Sequence, residues 1–327
     1  MSVMLIIVLL LVLAAEFVNG WTDAPNAIAT VVSTRVLSPR NSILLATSLN
    51  IIGALAGTAV AETIGKGIVE ASVINLQTVA AAMFAIVIWS SLAAQYGIPT
   101  SESHALVAGL AGAGLATAGP HVLLWSGWQK VLIGLFMSSF LGFGSAWIIA
   151  KGVQIFFANS SPIKSQRLFA RLQILSAAFM AFNHGSNDGQ KFIGVFALAL
   201  TLAGIFPSFH IPYWVILICA ATMGIGTSFG GRKIIQKMGI KMVHLEPWQG
   251  FSAETAASLT ILGASHFGIP LSTTHSIGTA IMGVGASRRF SAVRWNVSQE
   301  IIMAWVLTFP ICGTIAFLIA LLLKLMF

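Results

Sequence analysis

The chain of 327 residues consists of long apolar stretches separated by short polar connections. Most stretches reach or exceed the roughly 20 residues that an α-helix needs to cross a bilayer. Ten such units can be delimited, five in each half of the chain. They cover residues 2–38, 43–61, 74–95, 100–118 and 128–150, then 172–206, 213–231, 248–266, 271–287 and 294–323. This pattern predicts an all-α polytopic membrane protein.

The composition excludes several classes of protein. Hydrophobic residues make up 57% of the chain and charged residues only 8%, whereas about 25% of the residues in soluble proteins are charged. Because so little polar surface cannot cover a water-soluble domain of this size, a cytosolic enzyme, a nucleic-acid-binding module and a disordered protein are excluded. Both cysteines, Cys219 and Cys312, lie inside apolar runs, and we expect them to be buried and unpaired.

Four of the ten units are interrupted or shortened. The first and the sixth are too long for one straight helix, and polar clusters at residues 19–26 and 183–191 break them near their middles. The fourth and the ninth are short and open with Gly-Ile-Pro, a step that ends one helix and starts the next. The sequence therefore predicts two broken helices and two helical hairpins.

Two motifs recur in the same order and indicate an internal repeat. Residues 17–23 (FVNGWTD) match residues 182–188 (FNHGSND), and residues 96–104 (YGIPTSESH) match residues 267–275 (FGIPLSTTH). We assign residues 1–160 to a first repeat and residues 161–327 to a second. Five crossings in each repeat would make the second copy inverted, with the broken helices and hairpins meeting near the midplane.

The basic residues support this topology. If every unit crosses once, thirteen Lys and Arg residues fall on one side and three on the other. The rich side is then cytoplasmic and both termini are extracytoplasmic. The thirteen are Arg35, Arg40, Lys151, Lys164, Arg167, Arg171, Arg232, Lys233, Lys237, Lys241, Arg288, Arg289 and Arg294, and the three are Lys66, Lys130 and Lys324.

The two hairpins predict an anion site. Inverted repeats with broken helices are typical of secondary transporters, whose substrates bind near the midplane. Hydroxyl residues follow each Gly-Ile-Pro, and a helix N-terminus adds free N–H groups and partial positive charge. Two such termini would bind an oxyanion with almost no formal positive charge. Thr100 or Ser101 and Ser272 are the expected N-caps, with Ser103, Thr273 and Thr274 in the first turns. Alternatively, these hydroxyls only hydrogen-bond to carbonyls of their own helices, but their recurrence favours the site.

The two broken helices each carry a buried acid, Asp23 and Asp188. An ionisable residue at membrane depth is a functional candidate, and oxygen-rich clusters suit a hard cation or a proton. The alternatives are an Asp that caps the second half-helix and an Asp188–Lys191 pair on one helical turn. We also expect the capping, which does not exclude cation binding. Glu254 is a candidate proton carrier and Glu102 a weaker one. The neighbours of the two acids are Asn19, Thr22, Asn26, Asn183, Asn187, Gln190 and Lys191.

Charge balance links the two sites if they face one cavity. Asp23, Asp188 and Lys191 carry a formal net charge of −1, and a divalent oxyanion would bring it to about −3, of which two helix dipoles offset only about one unit. Roughly two cations or protons must therefore enter with the anion, which predicts cotransport.

Residues 19–26 (NGWTDAPN), residues 184–191 (HGSNDGQK) and the two Gly-Ile-Pro-x-Ser-x-x-His blocks resemble the inorganic phosphate transporter (PiT) family. The resemblance covers nearly the whole chain and implies phosphate symport by a homodimer. It implies that the hydroxyl-bearing hairpin tips bind phosphate and that Asp23 and Asp188 bind the coupling cation. The tip residues concerned are Thr100, Ser101, Ser103, Ser272, Thr273 and Thr274.

The chain departs from the sodium-coupled members of that family, which tend to read Gly-Ala-Asn-Asp-x-x-Asn in each copy. Thr22 replaces the first Asn of the first copy, and Lys191 replaces the last Asn of the second. A lysine there would repel sodium. The sequence is more similar to the bacterial low-affinity branch, which moves phosphate or neutral metal–phosphate complexes with protons. We therefore expect proton-coupled import across the plasma membrane by alternating access, with no cofactor and no firm metal site unless Asp23 and Asp188 hold a cation.

Four alternatives remain from the sequence. Sodium coupling is one, and a sulfate permease is another, because hydroxyls and helix dipoles do not by themselves separate two tetrahedral dianions. A carboxylate on the anion would favour phosphate, which can donate a hydrogen bond to it. An intramembrane aspartyl protease could use Asp23 and Asp188 as a dyad, but their flanking residues lack Tyr-Asp and Gly-x-Gly-Asp. The broken helices argue against a channel.

Overall fold

The computed structural model describes residues 2–326, and that part of the chain is nearly all helical, with no β-strand. The predicted all-α membrane fold is therefore confirmed. The first half contains α1 (Val3–Thr22), α2 (Ala24–Ser33), α3 (Pro39–Ala54), α4 (Ala59–Gly67), α5 (Leu76–Gln95), α6 (Glu102–Ala118) and α7 (Trp125–Phe156). The second half contains α8 (Pro162–His184), α9 (Gln190–Leu202), α10 (Tyr213–Phe229), α11 (Arg232–Ile235), α12 (Pro247–His266), α13 (Thr273–Arg288) and α14 (Trp295–Met326).

Several helices are long and apolar enough to cross a membrane. Four qualify alone within the described part: α1 continued by α2, then α5, α7 and α14. Two more qualify as bent pairs, α3 with α4 at 68° and α10 with α11 and the turn after it at 66°. The helices α6 and α13 have 17 and 16 residues, or about 25 Å of helix. Because they are short and almost wholly buried, they lie inside the protein rather than against lipid.

Within residues 2–326, each half contains seven α-helices. In each half, a bent helix pair (α3 with α4, or α10 with α11) follows the broken first helix. The next helices, α5 and α12, both have 20 residues, and the last helices, α7 and α14, both have 32. A single 3₁₀ turn follows each short helix, at Pro120–Val122 and at Phe290–Ala292. The division into repeats at 1–160 and 161–327 and the inverted orientation of the second copy stay predictions.

Both predicted breaks occur in the structure, with different geometries. Between α1 and α2 the helix is interrupted at Asp23. Between α8 and α9 a π-helical segment runs from Gly185 to Gly189, a distortion that often marks functional sites. A glycine in each break lets another helix approach closely, because a Cβ on Gly20 would lie 2.2 Å from the Met223 carbonyl oxygen, and one on Gly185 2.2 Å from that of Asn50.

The apolar core has two large parts. One lies where α1, α5, α6, α9 and α14 pack together, and the other where α7, α12 and α13 do. Small residues bring α6 and α14 into close contact, since a Cβ on Gly112 would lie 2.1 Å from the Gly313 carbonyl oxygen. Cys219 and Cys312 are buried and unpaired, as predicted. The core thus surrounds the two breaks and the starts of α6 and α13.

Candidate functional site

The two Gly-Ile-Pro segments form matching turns ahead of α6 and α13. Gly97 and Gly268 have φ angles of 67° and 64°, a conformation that glycine adopts without steric cost. Ser101 and Ser272 are the N-caps, and their hydroxyls accept hydrogen bonds from the backbone N–H groups of His104 at 3.3 Å and His275 at 3.2 Å. Ser101 rather than Thr100 therefore starts α6, and Thr100 is buried just before it.

These two helix starts meet in the interior. The Ser103 hydroxyl of α6 donates to the Leu271 carbonyl at 2.7 Å, and Trp305 Nε1 donates to the Pro99 carbonyl at 3.1 Å. The rings of His104 and His275 pack edge to face with centroids 4.4 Å apart. The hydroxyls of the two tips therefore share one buried region, as the sequence predicts.

Asp188, in the π-helical break, accepts hydrogen bonds from residues of two different helices. Lys191, one turn later, donates to it, and so does the hydroxyl of Thr273 in the first turn of α13. His184 Nε2 lies 3.2 Å from Asp188 Oδ2. Lys191 also donates to the Ser103 hydroxyl and, at 2.7 Å, to the Leu271 carbonyl. A lysine of the second repeat thus joins its own break to the tip of the first repeat.

This position of Lys191 corrects the expectation of an anion site with almost no formal positive charge. The ammonium is 1% exposed and lies where the two tips meet. The alternative of an Asp188–Lys191 pair on one turn is therefore confirmed. A buried ion pair is stable only when further hydrogen bonds satisfy its atoms, and Ser103 and Leu271 supply them here.

Asp23, in the first break, contacts the tips of both repeats. Its Oδ1 accepts from the Thr274 hydroxyl at 2.7 Å and from Asn26 Nδ2 at 3.1 Å. Its Oδ2 accepts from the backbone N–H of Glu102 at 3.4 Å. The side chain makes no capping bond to α2. The expectation that Asp23 caps its own second half-helix is therefore wrong, because the carboxylate turns toward the start of α6.

The first turn of α13 connects the two acids, with Thr273 on Asp188 and Thr274 on Asp23. One ligand atom from each of Asp23, His184 and Asp188 can be chosen so that all three lie within 4.8 Å of one another. Carboxylate oxygens suit a hard cation, and imidazole nitrogen suits a transition metal. The hydroxyl groups that could donate to an anion are thus in contact with the acidic groups that could bind a cation or a proton.

Three predicted coupling residues lie at the edge of this cluster or apart from it. Asn187 Nδ2 donates to the Ser265 hydroxyl at 2.7 Å, and Gln190 Oε1 accepts from the backbone N–H of Val60 at 3.0 Å. Both therefore bind neighbouring helices.

Glu254 is buried elsewhere, where it accepts from Thr30 Oγ1 at 2.5 Å, from Gln173 Nε2 at 3.3 Å and from the Ser176 hydroxyl. Thr30 follows Asp23 by seven residues on α2, which is about 10 Å of helix.

Two residues of the cluster were underrated or missed from the sequence. Glu102 is buried, and it accepts from the Thr22 hydroxyl at 2.9 Å and from Ser90 at 2.8 Å. His184 contacts Asp188 and also places Nδ1 3.1 Å from Asn50 Oδ1. The sequence feature that could have identified His184 is its position in the repeated motif, where it aligns with Asn19. Counting Asp23, Asp188, Glu102 and Lys191, the formal charge of the cluster is −2 rather than −1.

Buried helix starts, hydroxyl donors and charged groups that meet inside an all-helical apolar protein define a membrane transport protein. The model of the phosphate transporter family matches residues 19–316. The chain belongs to this family, and it is a transporter rather than an enzyme. The aspartyl protease alternative is therefore excluded.

Similar proteins agree with this assignment. A protein of Rhizobium meliloti (strain 1021) named "Probable low-affinity inorganic phosphate transporter" is 42% identical over 303 residues, 92% of this chain and 91% of that protein. A protein of Bacillus subtilis (strain 168) with the same name is 40% identical over 321 residues, 96% of each chain. A solved structure described as "The sodium-dependent phosphate transporter" superposes with a TM-score of 0.84 at 25% identity and covers 100% of both chains.

Proposed function

We propose that the protein imports inorganic phosphate by symport with protons, through alternating access. The observation that carries this proposal is the contact between the two helix tips and the two acids, through Thr273, Thr274 and Lys191. The names of the relatives support the substrate.

The proposed phosphate site consists of the hydroxyl groups at the two tips with the ammonium of Lys191. Helix N-termini and hydroxyl donors bind oxyanions, and a lysine supplies a point charge for phosphate. The Asp23 carboxylate accepts a hydrogen bond from the Thr274 hydroxyl, and the Asp188 carboxylate accepts one from the Thr273 hydroxyl. A protonated phosphate oxygen could donate to either carboxylate, whereas sulfate carries no such proton near neutral pH. The hydroxyl residues of the proposed site are Thr100, Ser101, Ser103, Ser272, Thr273 and Thr274.

Proton coupling is supported by Lys191. Its ammonium pairs with Asp188, one of the two acids to which the resemblance assigns the coupling cation. Because like charges in a buried site repel strongly, we infer that sodium does not bind there. The solved structure described as sodium-dependent represents the alternative coupling. The residues proposed for coupling are Asp23, Asn26, Asp188, Asn187, Gln190, Lys191 and Glu254.

Glu254 is proposed as a proton carrier on one side of the central cluster. It is fully buried, it accepts hydrogen bonds from two hydroxyls and an amide, and no cation within residues 2–326 pairs with it. Glu254→Gln should abolish proton-driven accumulation while phosphate exchange across the membrane persists. Thr260→Val, at a buried hydroxyl of the same helix that only bonds its own backbone, is the matched control. Accumulation by Glu254→Gln at the normal level would remove Glu254 from coupling.

Alternating access is supported by burial, since none of the six hydroxyl residues is more than 4% exposed. Phosphate therefore needs a conformational change to enter or leave. We further propose a homodimer in the plasma membrane with both termini extracytoplasmic, on the basis of the resemblance and of the distribution of basic residues.

A second candidate substrate is a neutral metal–phosphate complex. Ligand atoms of Asp23, His184 and Asp188 lie within 4.8 Å of one another, a spacing that suits a divalent cation. Binding of such a cation would require the Lys191 ammonium to leave Asp188 for the anion beside it. Phosphate uptake that stops on chelation of Mg²⁺ and returns on its addition would support this candidate.

The main test is uptake of radiolabelled phosphate into liposomes that contain the purified protein. Inward proton and sodium gradients are applied separately, with excess unlabelled sulfate as competitor. Proton-driven uptake that resists sulfate is the expected result. Sodium-driven uptake would refute the coupling proposal, and the absence of phosphate uptake under both gradients would refute the substrate.

A further inference from the structure

A second polar cavity, separate from the central cluster, opens at the protein surface with a volume of about 750 Å³. It lies between α4, the start of α7 and the turn after α12. None of the tip hydroxyls and neither break acid lines it. Its polar lining includes Glu62, Thr63, Lys66, Ser126, Lys130 and His266.

The charges of this cavity favour an anion. The Lys130 ammonium donates to the Thr63 hydroxyl at 3.2 Å, and no carboxylate within residues 2–326 lies within 4.0 Å of it. The Lys66 ammonium is 4.0 Å from Glu62 Oε2, with both side chains more than half exposed, and such pairs contribute little. It also lies 5.0 Å from the centre of the Phe209 ring, which restrains its position. Two ammonium groups and one carboxylate leave a net positive charge.

The location of these lysines is unusual. The side of the protein that is poor in basic residues carries three, Lys66, Lys130 and Lys324, and two of them line one cavity. The third donates to the Thr117 carbonyl at 3.3 Å and does not line the cavity. Because basic residues on the extracytoplasmic side work against the usual topology signal, their pairing in one cavity points to a ligand.

The cavity adjoins both structures that carry the central cluster. The backbone N–H of Val60, next to the cavity residue Ala59, donates to Gln190, which precedes Lys191. The Thr63 hydroxyl donates at 2.7 Å to the carbonyl of Gly268, in the turn that leads to Ser272. An anion in the cavity would therefore lie beside α4, which is hydrogen-bonded both to Gln190 and to the turn before Ser272.

We propose that this cavity is a recruitment site for inorganic phosphate, in which Lys66 and Lys130 bind the oxyanion before it passes to the central cluster. The inference rests on the proposed function, because it assumes that phosphate enters from this side. Positive clefts of this kind raise the local concentration of an anionic substrate in a salt-dependent manner.

The first test compares uptake kinetics of the double variant Lys66→Gln/Lys130→Gln with the wild type. The apparent KM for phosphate should rise about tenfold, because each ammonium near a dianion contributes a few-fold attraction in a solvent-exposed site. The maximal rate should stay nearly constant, and the increase of KM between about 50 and 300 mM salt should become smaller. Lys324→Gln removes the same charge outside the cavity and should leave KM unchanged. An unchanged KM in the double variant, with wild-type phosphate uptake intact, would overturn the inference alone.

The second test measures binding without transport. Ser126→Cys places a reporter thiol in the cavity, and the native Cys219 and Cys312 are buried, so that an anionic thiosulfonate reagent should label the reporter alone. In an Asp23→Asn/Asp188→Asn background, inorganic phosphate at constant ionic strength should slow labelling, and Lys66→Gln/Lys130→Gln should remove that protection. Absence of protection with both lysines present would overturn the recruitment site. Protection of the Ser126→Cys reporter, together with absence of phosphate transport by the wild type, would refute the proposed function and leave the anion site standing.

Discussion

Replacing Lys191 with asparagine is the sharpest test of the coupling mechanism. The change introduces the residue that the resemblance implies at this position in sodium-coupled members of the family. Lys191 is 1% exposed and donates to Asp188, Ser103 and the Leu271 carbonyl. Its loss would leave the Asp188 carboxylate buried with only Thr273 and His184 as neighbours, so that a cation becomes the natural replacement.

The expected change in stability follows from the burial of the Lys191–Asp188 pair. Removing one partner of a buried ion pair costs about 3–5 kcal/mol. If sodium enters the vacated place, saturation at about 100 times its dissociation constant returns about 2.7 kcal/mol. At about 2.1 cal/mol/K per residue, the unfolding entropy of the 327-residue chain is about 0.7 kcal/mol/K, so that sodium should raise the Tm of Lys191→Asn by about 4 °C. The wild type should show no such shift relative to potassium.

The assay combines thermal unfolding in sodium or potassium chloride with uptake driven by either gradient. Lys191→Asn should gain sodium-driven phosphate uptake and lose its proton dependence. Lys191→Met is the matched control, because it removes the charge without supplying a ligand, and it should be destabilised in both salts and inactive with both gradients. A wild-type Tm that rises with sodium, or an asparagine variant indifferent to it, would refute the argument that the ammonium replaces a sodium ion.

Three further predictions concern the acids, the caps and the helix packing. Asp23→Asn should abolish coupled uptake while the protein stays folded, because the amide loses the charge that Thr274 and Asn26 now contact; retained uptake would remove Asp23 from coupling. Ser101→Ala combined with Ser272→Ala should raise the KM for phosphate and lower stability by about 1 kcal/mol per cap; an unchanged KM would move the anion site elsewhere. Gly185→Ala should lower the Tm strongly, since its Cβ would lie 2.2 Å from the Asn50 carbonyl oxygen, whereas Gly144→Ala meets nothing within 4 Å; equal Tm values for both would contradict the close packing at the break.

Much of the architecture could be predicted because its signals are local. Apolar length, proline and glycine determine where a helix begins and ends, so that the breaks near Asp23 and Asp188 and the start of α6 near Ser101 could be located. The repeated motifs gave the correspondence between the halves for the same reason. The hydroxyl-rich tips were recognised as one site because their pattern occurs twice.

The partners of each buried group could not be predicted, because they lie far away in the sequence. Asn26 bonds to Thr274, 248 residues later, and Lys191 bonds to Ser103, 88 residues earlier. No local sequence pattern indicates which side chain a buried ammonium group will contact. For that reason the positive charge at the proposed anion site and the direction of the Asp23 side chain differ from expectation. Glu102 was underrated for the same reason.

The sequence by itself determined the class of protein and the ten apolar units, and it predicted the candidate site residues, since these follow from composition, helix length and capping. Only the tertiary structure decided which of those residues meet. Packing of α13 between the two breaks joins Asp188 to Asp23 through adjacent threonines, and packing of α2, α8 and α12 encloses Glu254 apart from them. The physical reason is that helix formation depends on neighbours along the chain, whereas a buried charge takes its partners from the elements that fold around it.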